Sequence, residues 1–229
     1  MTTTLAEYQI TDLIYEGTRT QVYRGLAIED SRPVILKKLR KEYPTSGELL
    51  QFRHQYVITK NLEIPGIVKP ITLEKEGNGY VLVMEDVGGI SLLEYTGENP
   101  LNLDEFFPVA LALIDILEKL HQKRIIHKDI KPANVLINPK TKEIFLIDFS
   151  IASLLPKETQ QLQNPNQLEG TLAYISPEQT GRMNRGIDYR SDFYGLGVTF
   201  YQLLAGQLPF DSQDAIELVH SHIAKMPTD

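Results

Sequence analysis

His127-Lys128-Asp129-Ile130-Lys131-Pro132-Ala133-Asn134 is the stretch on which the reading of this 229-residue chain turns. It places a carboxylate, an ammonium and an amide within one short segment. Fourteen residues beyond Asn134 comes a second carboxylate, Asp148, directly after the apolar run Ile144-Phe145-Leu146-Ile147. Phosphoryl transfer from a nucleoside triphosphate needs such a set. Its transition state spreads negative charge, so catalysis is largely positioning and cationic stabilisation. Carboxylate and amide oxygens suit a hard divalent cation, which shares the phosphate oxygens. Taken singly, each piece has a plainer reading: a capping Asp in a turn, or an Asp at a strand end. The joint spacing points to chemistry.

Outward from this stretch, the chain changes texture twice. Before it, apolar and polar residues alternate at period two over Tyr8 to Glu16, Thr20 to Ala27 and Pro33 to Leu39, which predicts three strands in a meander. Leu49, Phe52 and Tyr56 then share one helical face. Ile67 to Leu73 and Gly79 to Met84 read as two further strands around the turn Gly77-Asn78-Gly79. This region is therefore expected to be a five-stranded antiparallel sheet with one helix. Gly88-Gly89 breaks the pattern. Asn102 opens a helix, with Glu105 placed for a capping box and Leu113, Ile116, Leu117 and Leu120 as its buried stripe. Pro108 should kink or restart its first turns. Short strands are expected at Val135 to Ile137 and Glu143 to Ile147. A loop follows at Lys157 to Gln167, then helices at about Ser191 to Ala205 and Gln213 to Ala224. The fold class is α+β.

Composition narrows the field. Hydrophobic residues make up 42% and charged residues 23%, with a formal net charge of -7. That balance permits a sizeable core. It argues against a nucleic-acid or anionic-membrane partner, because the summed field would repel either. The chain has no cysteine, which excludes disulfides and thiolate metal sites and fits a reducing cytoplasm. The N-terminus lacks the basic and apolar regions of a signal peptide, and no apolar stretch is long enough to span a bilayer.

With these pieces in place the chain resembles the protein-kinase family, in order and over nearly its whole length. HKDIKPAN resembles the catalytic loop, and Asp148-Phe149-Ser150 the metal-binding motif. Ile14 to Val22 looks like the phosphate-covering hairpin, and Val34-Ile35-Leu36-Lys37 like the third-strand lysine motif. Met84-Glu85-Asp86-Val87 looks like the gatekeeper and hinge. Gly170 to Glu178 (GTLAYISPE) resembles the end of the activation segment, and Ser191 to Gly197 the start of the central helix. The resemblance implies a bilobal fold with an N-lobe and hinge over 1–87 and a mainly helical C-lobe over 88–229. It also implies ATP and Mg2+ as cofactors and a protein Ser/Thr hydroxyl as acceptor. Carried over, Asp129 orients and deprotonates the hydroxyl, and Lys131 neutralises the transferring phosphate. Asn134 and Asp148 hold the metal, and Lys37 contacts the non-transferred phosphates. Tyr15, Gly17, Val22, Met84, Glu85 and Val87 complete the nucleotide contacts. Lys131 and Thr171 match the serine/threonine branch, His127 is expected to brace the loop, and Asp192 is expected to cap its backbone.

Several positions depart from the family pattern. The glycine positions of the hairpin read Tyr15, Gly17 and Thr20, and losing two glycines should stiffen it. The helix glutamate that pairs with the lysine falls on Gln55, with Glu48 two turns earlier as a substitute. Ser150 replaces the glycine of the metal motif. Lys128 replaces an arginine that gathers activation-segment phosphate, which places control through a residue such as Thr159 in question. The C-lobe is expected to be incomplete, without the helices whose arginine pairs with Glu178. LKKLRKEYPTSGELLQFRHQY, HKDIKPANVLINP and GTLAYISPEQTGRMNRG resemble the N-terminal kinase domains of large bacterial, notably cyanobacterial, signalling proteins with ATPase, sensory and histidine-kinase modules. A nucleotide-binding module that relays a signal without turnover is the alternative reading. A kinase-fold enzyme for small-molecule hydroxyls is a third, disfavoured by Thr171 and the SPE segment.

Overall fold

A computed structural model of the chain describes residues 4–5, 7–97, 99–155, 171–183 and 185–227. Contacts divide the chain into two compact units, one of Met1–Glu63 with Ile67–Gly88, the other of Ile64–Gly66 with Gly89–Asp229. The expected loop from Lys157 to Gln167, together with Thr159 and Gly170, lies outside the described residues.

The first unit is built on an antiparallel sheet. Its strands are β1 (Thr4–Leu5), β2 (Tyr8–Glu16), β3 (Thr20–Ala27), β4 (Pro33–Leu39), β5 (Pro70–Glu76) and β6 (Gly79–Glu85), in the order β1-β2-β3-β4-β6-β5. The five expected strands are all present, with the two-residue β1 added at the edge. β5 begins at Pro70 rather than Ile67. Ile67 and Val68 are buried ahead of it, Ile67 in an isolated bridge and Val68 outside any strand, so apolar character there reports burial more than a continuous strand.

Period-two alternation sets the two faces of the sheet. Val34 and Leu36 of β4 join Tyr8, Ala27, Val81 and Val83 in one buried cluster. Lys37 falls between them in phase and lies on the other face. There it sits directly opposite Val22 of β3 on one side and Leu82 of β6 on the other, and Val22 in turn opposes Tyr15 of β2. Helix α1 (Ser46–Thr59) starts with a complete Thr45/Glu48 capping box and buries Phe52, Gln55, Ile58 and Thr59.

The second unit contains β7 (Ile90–Ser91), α2 (Leu92–Thr96), α3 (Leu103–Gln122), β8 (Ile125–Ile126), β9 (Val135–Ile137), β10 (Ile144–Leu146), β11 (Ser153–Leu154), α4 (Arg190–Ala205) and α5 (Ala215–Ala224). β10, β9 and β7 form one small sheet, and β11 pairs with β8. Asn102 and Glu105 form the expected capping box of α3, and Leu113, Ile116, Leu117 and Leu120 are buried. The helix runs through Pro108 without a break. The N–H that proline lacks would have faced the carbonyl of Asp104, an exposed residue that water can serve. β10 is one residue shorter at each end than expected, and α5 begins at Ala215, where Asp214 caps it through the N–H groups of Ile216 and Glu217. Among the described residues, no helix is long and apolar enough to cross a membrane.

α4 positions the His127–Asn134 stretch by close approach. A Cβ on Gly195 would stand 3.2 Å from the carbonyl oxygen of Ile130. Glycine there lets the helix axis come up against the loop backbone, and Thr199 Oγ1 reaches the same carbonyl at 3.4 Å.

Candidate active site

β8 and β9 bracket the stretch from His127 to Asn134 and fix its two ends. Asp192, 1% exposed in the first turn of α4, accepts hydrogen bonds from the backbone N–H of His127 at 2.9 Å and of Lys128 at 2.7 Å. His121 Nε2 adds a third contact to the same carboxylate at 2.8 Å. The expected loop cap is therefore in place. His121 is a further partner that its position in the α3 pattern does not announce.

The loop closes on Asp129. Its Oδ2 accepts from Lys131 Nζ at 2.6 Å and from Asn134 Nδ2 at 2.8 Å, and its Oδ1 accepts from the Thr171 N–H at 3.1 Å. Asn134 Nδ2 also donates to the Asp129 carbonyl at 2.8 Å. Both amide hydrogens of Asn134 are thereby committed, which orients its Oδ1 for a role as acceptor or metal ligand. Lys131 Nζ additionally donates to Thr171 Oγ1. The carboxylate is thus oriented from three sides, with an ammonium beside it. Burial pushes the nearby Tyr174 hydroxyl up to about 12; its bond to Gln202 opposes this and the Asp129 charge adds to it.

Asp148 is tied to this loop through its neighbour. The Ile147 N–H donates to the Asn134 carbonyl at 2.9 Å, and the Ile147 carbonyl lies 3.0 Å from His127 Nε2. Because the Asp129 N–H points at His127 Nδ1 at 3.3 Å, the ring hydrogen sits on Nε2 and is donated to Ile147. His127 also packs edge-on against Phe149, with centroids 4.7 Å apart. The bracing role expected of His127 is thus visible as three contacts. Asp148 itself has φ of +65°. A non-glycine residue in that region is uncommon and is held there by its surroundings, a feature concentrated at functional sites.

In the first unit, Lys37 Nζ donates to Gln55 Oε1 at 3.0 Å. Glu48 is engaged elsewhere, with Lys41 at 2.9 Å and with the backbone and side chain of Thr45. Those bonds hold its carboxyl down to about 2. Glu48 therefore does not substitute for the missing helix glutamate. Tyr15, Val22 and Lys37 share one cross-strand row, while Gly17 closes the hairpin turn by donating to the Thr20 carbonyl at 2.9 Å. The Tyr15 ring lies against Gly17, where an added Cβ would meet its hydroxyl at 2.5 Å. Met84, Glu85 and Val87 follow at the end of β6 and are half-buried. The Glu85 carboxylate accepts from the Lys69 N–H at 2.9 Å, so its side chain is structural.

Ser176-Pro177-Glu178 forms a short 3-10 turn that includes Gln179. Glu178 accepts from Ser191 Oγ at 2.5 Å. Gln179, which the sequence reading passed over, is buried and donates to the Lys128 carbonyl at 2.9 Å. A Ser-x-x-Gln capping box at 176–179 is the signal that marks it.

Asp129 is thus held between an ammonium and an amide, and Asp148 follows Ile147, whose backbone is hydrogen-bonded to the same loop. The chain belongs to the protein kinase domain family, whose model matches residues 8–228. It is 34% identical over 220 residues to the serine/threonine-protein kinase PrkC of Bacillus subtilis, covering 94% of this chain and 33% of that protein. It is 31% identical to the serine/threonine-protein kinase pkn2 of Myxococcus xanthus, covering 92% of this chain and 26% of that protein. To the serine/threonine-protein kinase PkaA of Streptomyces coelicolor it is 32% identical, with 89% and 37% covered. The chain thus spans about a third of the length of the curated relatives it matches. The family resemblance read from HKDIKPAN and the α+β fold class are both borne out.

Proposed function

We propose that the chain is an ATP-dependent protein serine/threonine kinase domain, acting with Mg2+ in a cytoplasmic signalling protein that carries further domains. The single observation that carries this reading is the Asp129 carboxylate, held by Lys131, Asn134 and Thr171.

Each residue then has a task. Asp129 accepts the proton of a serine or threonine hydroxyl and aims its oxygen at the γ-phosphorus. Lys131, already 2.6 Å from that carboxylate, meets the charge that develops on the transferring group. Lys37 takes the non-transferred phosphates, kept in place by Gln55. Tyr15, Gly17 and Val22 cover the nucleotide, and the backbone at Glu85 and Val87, beside Met84, contacts the adenine. Asn134 Oδ1 and the Asp148 carboxylate are the hard oxygen donors for the cation. When bound, Mg2+ neutralises phosphate charge and fixes the phosphate oxygens for in-line displacement.

The test is a phosphorylation assay on the protein with Mg2+ and labelled ATP, with a generic protein acceptor. Transfer by the wild type and none by Asp129→Asn is the expected result. Equal background from both defeats the proposal. A thermal shift with ATP, with and without Mg2+, then separates a nucleotide-binding module from a scaffold that binds none.

A further inference from the structure

Lys128, the residue before Asp129, has φ of +69°. Side chains seldom occupy that region, and a residue stays there only when its surroundings fix it. Two side chains do so. Asp192 Oδ1 accepts from the Lys128 N–H at 2.7 Å, and Gln179 Nε2 donates to the Lys128 carbonyl at 2.9 Å. That carbonyl shares a rigid peptide plane with the N–H of Asp129. The N–H side of the plane is held by His127 Nδ1 at 3.3 Å. The plane from which the Asp129 side chain springs is therefore pinned at its oxygen by Gln179 and at its hydrogen by His127.

The other end of Gln179 is equally committed. Its Oε1 accepts from Ser176 N–H at 3.2 Å and from Ser176 Oγ at 2.9 Å. Gln179 is 6% exposed and Ser176 is 0% exposed. A buried amide used at both ends is a bridge, since each end left unpaired would carry a desolvation penalty. A carboxamide accepts at its oxygen and donates at its nitrogen. A carboxylate keeps the Ser176 contacts and loses the donor that Lys128 requires, while methionine fills the space and makes neither contact.

We infer that Gln179 is a positioning residue for Asp129, coupling the Ser176–Thr180 turn to the Lys128–Asp129 peptide plane and so to the direction of the carboxylate. This rests on the kinase reading above. Displacing a reacting group by about 1 Å can cost on the order of 10²-fold in rate. The bridge therefore acts on turnover and not on nucleotide affinity.

The experiment compares wild type, Asp129→Asn, Gln179→Glu and Gln179→Met of the full chain, with Mg2+-ATP and a generic protein acceptor. It reads kcat, KM for ATP, melting midpoint and amide exchange at Asp129, all well below the midpoint of the weakest variant. Both Gln179 variants are expected to lose roughly 10- to 100-fold in kcat with little change in KM for ATP. The Asp129 amide is expected to exchange faster in both. Wild-type kcat and exchange in Gln179→Glu would show that Gln179 only caps its own turn, and would overturn the inference while leaving the kinase reading intact. A wild type no more active than Asp129→Asn would overturn the kinase reading and the inference with it.

Discussion

Lys37 Nζ donates to Gln55 Oε1 at 3.0 Å, and the two side chains are buried at 7% and 4% exposure. A neutral amide thus stands where the family pattern has a carboxylate. A hydrogen bond to a charged group is worth about 1.5–3 kcal/mol. Gln55→Leu removes this acceptor and is expected to lower the melting midpoint by roughly 3–12 °C. Gln55→Glu keeps an acceptor at the same reach and adds a charge opposite to that of Lys37. It should hold the midpoint at or above wild type and lower KM for ATP. A Glu variant as damaged as the Leu variant would show that the Oε1–Nζ bond is not what Gln55 contributes.

Asp192 anchors the backbone of the loop that carries Asp129. Two backbone N–H groups and His121 converge on its buried carboxylate. Each buried donor left unpaired costs about 1–3 kcal/mol. Asp192→Ala should therefore destabilise the protein more than Gln55→Leu does, as read from urea unfolding. It should also reduce phosphoryl transfer, since the loop that carries Asp129 loses its anchor. Unchanged unfolding would mean that water replaces the cap at no cost.

Much of this was legible in the sequence, for reasons that differ by element. The long strands announced themselves because period two repeats many times in Tyr8–Glu16 or Pro33–Leu39. Helix α3 did so because the Asn102–Glu105 box and a buried stripe agree. Two-residue strands such as Ile125–Ile126 and Ser153–Leu154 contain no period to detect and exist through tertiary pairing alone. The site followed the same division. Asp129, Lys131 and Asn134 were readable because they are close in the chain and chemically distinctive. The Gln179 bond to Lys128 and the His121 bond to Asp192 join residues far apart in sequence, and a buried polar residue looks the same on the page whatever it bonds. The Gln55 substitution was visible, but whether Gln55 or Glu48 would serve Lys37 was decided by the Thr45 cap and Lys41, which claim Glu48.

Acid should weaken the fold through His222. Burial holds its imidazole below the usual value of 6.5, and a backbone hydrogen bond with Leu172 acts in the opposite sense. The unfolded chain takes up a proton as pH falls through about 6.5, while the folded protein does not. Stability contributed by this group is therefore full above that pH and is lost progressively as pH falls toward the folded-state value. One such group gives a slope of at most about 1.4 kcal/mol per pH unit. His222→Asn retains an acceptor for the Tyr194 hydroxyl, which contacts His222 Nδ1 at 2.8 Å. Urea midpoints measured between pH 5.5 and 7.5 should fall less steeply for this variant than for wild type. Parallel slopes would remove His222 from the account.

The metal assignment predicts a separation of binding from turnover. Asp148→Asn removes a charged oxygen donor while the backbone brace through Ile147 remains. Transfer should fall on the order of 10²–10³-fold. The thermal shift with ATP alone should persist, and the added shift from Mg2+ should shrink. A Mg2+ response equal to wild type would exclude Asp148 as a ligand.

The central claim is that Asp129, held by Lys131, Asn134 and Thr171, is the group that activates the acceptor hydroxyl. Single-turnover transfer from Mg2+-ATP to a protein acceptor, wild type against Asp129→Asn, tests it most directly. A loss of roughly 10²–10⁴-fold in the transfer step, with ATP binding retained, is the predicted result. Equal transfer rates in the two proteins would contradict it.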